Sequence, residues 1–343
     1  VGLEHPQDLD AWRHWQESRH ALRRIKSKLA RATPPTFKLY SSGASPSILV
    51  VVDAPTPSQI AAYLEPALLV DGAQIAVLAQ GELRHLLPAD WSEHEVAGNS
   101  APDLLAEVSV VFASGHFLPA SALAHTWAQA LNARFVVAQH GLLTPFQPPL
   151  PPGAHALAFS TDDALFWKSG RSDVTFDVVG SQMLWNASTQ QAEPTEVTGP
   201  PVFLGQLHGA ELARRIAART ASQFCASTGA SYRPHPAEID KLSRLQHDRW
   251  RRSGIVIDDS RAPLRTLTRP VVSIFSTGVL EAAASGRPAW VTCVGGPEWI
   301  REFWARYSLS EWGGDPTPAP VVPPVEPAKA IAASLAHILE GTA

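Results

Sequence analysis

The sequence predicts an α/β chain folded as two units, each a parallel sheet covered by helices. Three observations predict this. At 343 residues the chain exceeds one ordinary core. Short continuous apolar runs alternate with amphipathic helical stretches, the pattern of strands buried on both faces. The alternation breaks off around 185–200 and then begins again. Two Rossmann-like halves joined there are the architecture expected. With 45% hydrophobic residues and a formal charge of −4, the chain is neither largely disordered nor a general nucleic-acid binder.

Residues 8–32 read as one basic amphipathic helix. Trp12, Trp15, Leu22, Ile25 and Leu29 share one side, and Arg13, Arg19, Arg23, Arg24, Lys26, Lys28 and Arg31 supply charge. Such a helix lies on an anionic membrane surface, or packs on its own domain or a second subunit. Residues 33–47 read as a linker. Strands follow at 48–53 and 74–80, with a helix between them, and a third ends near Ser114. A helix over 121–133 leads to a strand and Gly turn at 134–141. A Pro-rich loop covers 143–153, and 157–170 returns to strand and helix.

In the second half, 201–207 is a strand and 211–228 a helix. A short strand runs into the turn Tyr232-Arg233-Pro234-His235-Pro236, followed by a helix to 254 and a strand at 255–260. Residues 269–286 form a strand turning sharply into a helix, 288–293 a last strand, and 328–341 the last helix. The stretch 316–327 is a Pro-rich extended crossover.

Two cysteines, Cys225 and Cys293, make no disulfide framework and indicate a reducing compartment. No run of about 18 apolar residues is present, and the first residues do not read as a leader. A cytoplasmic protein is expected, peripheral at the inner face of the membrane if residues 8–32 contact lipid.

Four places could carry chemistry. Ser276, Thr277 and Gly278 stand where a buried strand enters a helix, so free N–H groups and the helix dipole favour an anion there. An ordinary Ser/Thr cap is the alternative. Glu281, one turn on, would hold ribose hydroxyls or complement the dipole. Arg233, His235 and Pro236 end another strand of the same half, where a guanidinium and a proline-braced imidazole suit a phosphate. His140, in Gln139-His140-Gly141, ends a strand of the first half and fits a general base or a buried structural histidine. Asp162 and Asp163 read as helix-capping acids, and His208 and Asp53 are further strand-end candidates. There is no P-loop, dinucleotide fingerprint, zincin or hydrolase-elbow motif, and the histidines lack metal-ligand spacing. No metal and no cofactor is expected.

The QHG at a strand end, the RPHP turn and the run Ser276-Thr277-Gly278, Glu281-Ala282, Gly286, Pro288 together resemble GT-B glycosyltransferases. Within them the chain is most similar to bacterial capsule and teichoic-acid transferases using CDP-glycerol or CMP-sugar donors. The resemblance covers residues 46–310. It implies that His235 with Pro236, and Ser276 with Thr277, bind a cytidine nucleotide phosphate. It also implies that His140 acts as base or acceptor contact. Transfer from CDP-glycerol or from a CMP-sugar alike releases CMP. The implied partners are a cytidine-activated donor and a glycan or glycolipid acceptor of the cell envelope, with a metal-independent, inverting displacement. The acid-acid-Gly motif of bacterial sialyltransferases is not matched at Asp162-Asp163-Ala164. The domain scheme is then 1–45, helix and linker; 46–190, acceptor domain; 200–315, nucleotide-donor domain; and 316–343, crossover and final helix. Two alternatives remain: a GT-B enzyme using a UDP- or GDP-sugar, as glycosyltransferase or 2-epimerase, and a non-catalytic GT-B-like glycan-binding or scaffold module.

Overall fold

The structure, a computed structural model, describes residues 2–19, 36–96, 98–189, 198–260 and 262–342. The chain divides into two compact α/β units, residues 1–182 with 323–343, and residues 183–322.

The first unit is built on an eight-stranded sheet in the order β4-β1-β3-β2-β5-β6-β7-β8. Its strands are β1 (Lys38–Ser41), β2 (Ile48–Val52), β3 (Ile75–Ala79), β4 (Ser92–Glu95), β5 (Val110–Ala113), β6 (Arg134–Ala138), β7 (His155–Ala158) and β8 (Thr175–Val178). From β3 to β8 the pairing is parallel, as the apolar runs predict. Alternation along β2 divides the core. Ile48, Val50 and Val52 face a layer containing Tyr63, Leu64, Ile331 and Leu335. Leu49 and Val51 face one containing Ala120, Ala124 and Trp127.

The first of those layers comes from α2 and α10. Helix α2 runs from Pro57–Gln59 through a π-type stretch, Ile60–Leu64, into Glu65–Ala67. Pro66 has no N–H to continue the regular ladder, and the Glu65 N–H reaches back five residues to Ile60. Helix α10 (Pro327–Thr342) is pinned at its start by the side-chain amide of Gln182, which accepts from the Ala328 N–H at 2.8 Å. The second layer includes α3 (Pro119–Leu131).

Two sequence expectations need correction here. The stretch 33–47 is not only a linker, since it contains β1, which runs antiparallel to both β3 and β4. Leu39 and Tyr40 are fully buried. The leader helix is described only as α1 (Leu9–Arg19); Leu22, Ile25, Leu29 and the basic residues from Arg23 to Arg31 lie outside the described residues. In α1 the tryptophans turn inward. Trp12 donates its indole N–H to the Phe146 carbonyl at 2.7 Å and meets Phe117 edge-on, and Trp15 stacks on Phe146 at 4.7 Å. This part of the helix therefore packs on its own unit.

The second unit holds a four-stranded, all-parallel sheet in the order β10-β9-β11-β12, formed by β9 (Val202–Leu204), β10 (Ser231–Arg233), β11 (Val271–Ser273) and β12 (Ala289–Val291). The strand expected at 255–260 reduces to one bridge, Ile257 opposite Tyr232. Because the strands are parallel, the loops leaving β10, β9 and β11 emerge at one edge, with the β9 loop in the middle.

Candidate functional site

In the first unit the site starts from Tyr63, inside the π-type turn of α2. A π turn offsets the side chains around it and is often found where a residue is aimed at a site. The buried Tyr63 hydroxyl donates to the Ala138 carbonyl at 2.7 Å and lies 2.9 Å from His140 Nδ1. A phenol has one proton to give. With that proton on Ala138, the oxygen accepts from Nδ1–H. His140 Nε2 then carries a bare lone pair. Burial lowers the His140 pKa below its ordinary value, opposed by the charge of Asp53. The imidazole is therefore neutral near pH 7, the state a general base needs.

His140 lines an open pocket of the first unit. Phe117, Trp167, Leu143 and Leu150 give it apolar walls; Ser114, Gln139 and Gln147 add polar groups, and among the described residues no charged side chain lines it. The Trp167 indole N–H is buried and has no partner among the described residues. Gln139 is a scaffold: its amide donates to the Gly141 carbonyl and to Asp163, and its oxygen accepts from the Phe159 N–H at 2.9 Å. Asp163 is thus a buried anchor of the His140 turn, while Ser160 caps the helix α4 (Thr161–Lys168). Asp53 accepts from the N–H groups of Ala120 and Ser121 and the hydroxyls of Ser114 and Ser121, so it anchors the start of α3.

In the second unit the RPHP turn rests on a buried carboxylate that the sequence reading missed. Glu238 accepts from the Tyr232 hydroxyl, the Leu207 N–H at 2.9 Å and His247 Nε2 at 2.9 Å. Burial alone would raise its pKa; the hydrogen bonds from His247, Leu207 and Tyr232 outweigh that and lower it. Its own N–H bonds the His235 carbonyl at 2.8 Å, which fixes the turn. His235 Nδ1 accepts from the Ala237 N–H at 3.1 Å, so the neutral ring carries its proton on Nε2 and presents a donor. Its pKa is lowered by partial burial against the opposing Glu238 charge.

His208, from the β9 loop, stacks on His235 with ring centres 3.8 Å apart. Burial, and then the neighbouring His235, depress its pKa to about 4. Its Nδ1 is buried without a partner among the described residues, and so is Arg233 Nη1, whose sister nitrogen Nη2 donates to the Ala262 carbonyl. Pro236 is exposed beside them.

The β11 turn is more self-contained than its sequence suggests. The Ile274 and Phe275 N–H groups donate to Gln206 Oε1, at 3.2 and 2.9 Å. Ser276 caps helix α8 (Thr277–Ala284), accepting from the Gly278 N–H at 3.1 Å, and keeps only its own proton to offer outward. Gly278 is buried, and a Cβ there would meet Leu204 Cδ1 at 2.6 Å and Leu264 Cδ1 at 2.9 Å. Internal packing thus accounts for this glycine. Thr277 is half-buried on the first turn. Glu281 acts electrostatically on Arg287 of the same unit.

The β9 loop therefore holds the two motifs together, through His208 on one side and Gln206 on the other. His140 belongs to the first unit, and Arg233, His235, Pro236, Ser276, Thr277, Gly278 and Glu281 to the second. Among the described residues no cluster of three His, Cys, Asp or Glu side chains could hold a metal ion, and no helix is long and apolar enough to cross a membrane.

No family model matches the chain, and no curated protein matches it. Among solved structures the chain is similar to Anabaena HepE in complex with UDP, at a TM-score of 0.43 and 14% identity, over 86% of this chain and 98% of that one.

Proposed function

We propose that the chain is a GT-B-like transferase moving a sugar or glycerol phosphate from a cytidine-activated donor to a hydroxyl of a cell-envelope glycan or glycolipid, with release of CMP. The observation that carries this is His140. It is a neutral imidazole with its proton fixed on Nδ1 by Tyr63 and its Nε2 lone pair free, lining an uncharged pocket. A hydroxyl acceptor needs such a base, and a pocket with apolar walls and a few polar groups suits a sugar ring. Nε2 would take the acceptor proton while the acceptor oxygen bonds to the transferred carbon or phosphorus and the bond to the departing CMP breaks.

Support for the donor end comes from unsatisfied donors. Among the described residues Arg233 Nη1 is buried without a partner, and His235, two positions on, keeps an Nε2–H to give. Both would be satisfied by phosphate oxygens, and His208 adds a third polar group. The cytidine base itself is implied by the sequence resemblance alone.

The test is thermal stability of the purified chain with CMP, CDP, UMP, UDP and GDP, without metal. Stabilisation by the cytidine nucleotides alone, abolished by His235→Ala, is expected. A uridine or guanosine preference would replace the donor, and silence with all of them would favour a non-catalytic module. Full turnover by His140→Ala would remove the base.

A further inference from the structure

Helix α7 (Lys241–Arg252) exposes an unusual combination of side chains. Its inner face is Ser243, His247 and Trp250, all buried. At about 100° per residue, the direction opposite them falls between Arg252 and Leu245, with Lys241 and Asp248 beyond Arg252, and Arg249 and Leu242 beyond Leu245. Leu245 is 62% exposed and Leu242 52%, while Ile239, just before the helix, is 69% exposed.

The acids nearby are already engaged. Asp240 caps the helix, accepting from the Leu242 and Ser243 N–H groups and the Ser243 hydroxyl. Asp248 pairs with Arg251 at 2.9 Å, as does Asp259 at 2.7 Å. Arg244 donates to the Ile239 carbonyl. Among the described residues, Lys241, Arg249 and Arg252 have no acidic partner. The outward side of the helix thus carries Leu242 and Leu245 among Lys241, Arg249 and Arg252, with the exposed Ile239 just before it; Asp248 and Asp259 share one guanidinium, so cations still outnumber acids there.

We infer that this face seats on an anionic lipid surface. Aliphatic side chains at the crest gain by entering the boundary between headgroups and acyl chains, and the surrounding cations gain from the negative surface potential. A nucleic-acid backbone would use the cations but would desolvate the leucines against phosphate with nothing in return. The face continues into the RPHP turn, since Ile239 follows directly on Glu238, whose N–H holds His235. A lipid surface here would lie beside the exposed His235 and Pro236. The inference stands without the proposed chemistry, and it puts membrane contact on a helix other than the leader.

The experiment is co-sedimentation of the full chain with phosphatidylcholine vesicles, with and without phosphatidylglycerol. Binding is expected only with phosphatidylglycerol and weakens as salt rises. The triple variant Lys241→Gln, Arg249→Gln, Arg252→Gln should lower partitioning on the order of 100-fold, about fivefold for each cation. The pair Leu242→Gln, Leu245→Gln should also release the protein, with melting temperature unchanged because both side chains are exposed. Three results would overturn the inference. These are no binding to anionic vesicles, binding that both variants leave intact, and leucine variants that instead dissociate a self-associated chain seen by sedimentation.

Discussion

Replacing Tyr63 by Phe removes one oxygen and two hydrogen bonds, to the Ala138 carbonyl at 2.7 Å and from His140 Nδ1 at 2.9 Å. The ring still fills its place against Phe112, so no large cavity opens. Each buried bond contributes about 1 kcal/mol net, so the first unit should lose about 2 kcal/mol, or roughly 4–8 °C in melting temperature. The stability loss alone would fit any buried tyrosine. The distinguishing readout is the imidazole. With Tyr63 in place, 15N spectra of the histidines at neutral pH should show His140 protonated on Nδ1 and bare on Nε2. In the Phe variant nothing holds the proton on Nδ1, and the ring should shift towards the Nε2–H form usual for free imidazole. Turnover should fall with it, because Nε2 is then protonated and no longer basic. A wild-type His140 carrying its proton on Nε2, or a variant with an unchanged tautomer, would refute the reasoning.

Other substitutions separate packing from binding. Trp167→Phe deletes a buried donor without a partner among the described residues and also shortens a core side chain, so stability should fall by about 1–3 kcal/mol through lost packing while acceptor affinity falls; unchanged acceptor affinity would remove the indole from the site. Gly278→Ala should cost about 1–3 kcal/mol because its Cβ meets Leu204 and Leu264; weakened nucleotide binding at unchanged stability would instead favour a close ligand approach. Glu238→Gln should destabilise the second unit by about 3 kcal/mol, since Tyr232, His247 and the Leu207 N–H lose a buried charged acceptor. Stability should also fall in acid. His116 and His208 have folded pKa values near 4 against an ordinary 6.5, so the unfolded chain binds more protons between those values. Stability is full above about pH 6.5 and is lost as pH falls towards 4; a melting temperature flat across that window, or His208→Asn with no flattening, would contradict this.

The parts of the fold that were legible are those where burial imposes composition. β2, β3, β5, β6 and β11 are apolar runs because both faces are covered. β1, β4 and β8 escaped notice for the opposite reason. Lys38–Ser41 stands among turn residues, and Ser92–Glu95 and Thr175–Val178 are edge strands with mostly exposed side chains, held by backbone pairing that leaves no period to read. At the sites, strand-end placement marked His140, Arg233 and His235; Asp53 and Asp163 were noticed without their anchoring role, and the more distant supports were not visible. Tyr63 reaches His140 across 77 positions, and Gln206 reaches Phe275 across 69. Only Glu238 lay close enough to be guessed, three residues beyond His235.

The supports explain why each histidine is where it is. Asp53 in the first unit and Glu238 in the second are buried carboxylates that bind backbone N–H groups, in Ala120–Ser121 and in Leu207, rather than the exposed face of an imidazole. Asp53 fixes the start of α3 and Glu238 fixes loop backbone, and each also lends negative potential to a nearby ring. In both rings burial lowers the pKa and that carboxylate raises it, with burial the larger effect. The balance holds His140 and His235 neutral near pH 7. The remaining bonds then set them to different tautomers. Tyr63 leaves His140 with a bare Nε2, an acceptor, and the Ala237 N–H leaves His235 with Nε2–H, a donor. A base for a hydroxyl proton and a donor for a phosphate oxygen are different demands on one side chain. In the proposed reaction two neutral imidazoles would meet them through what occupies Nδ1. Variants that change only that partner should therefore alter chemistry before they alter the fold.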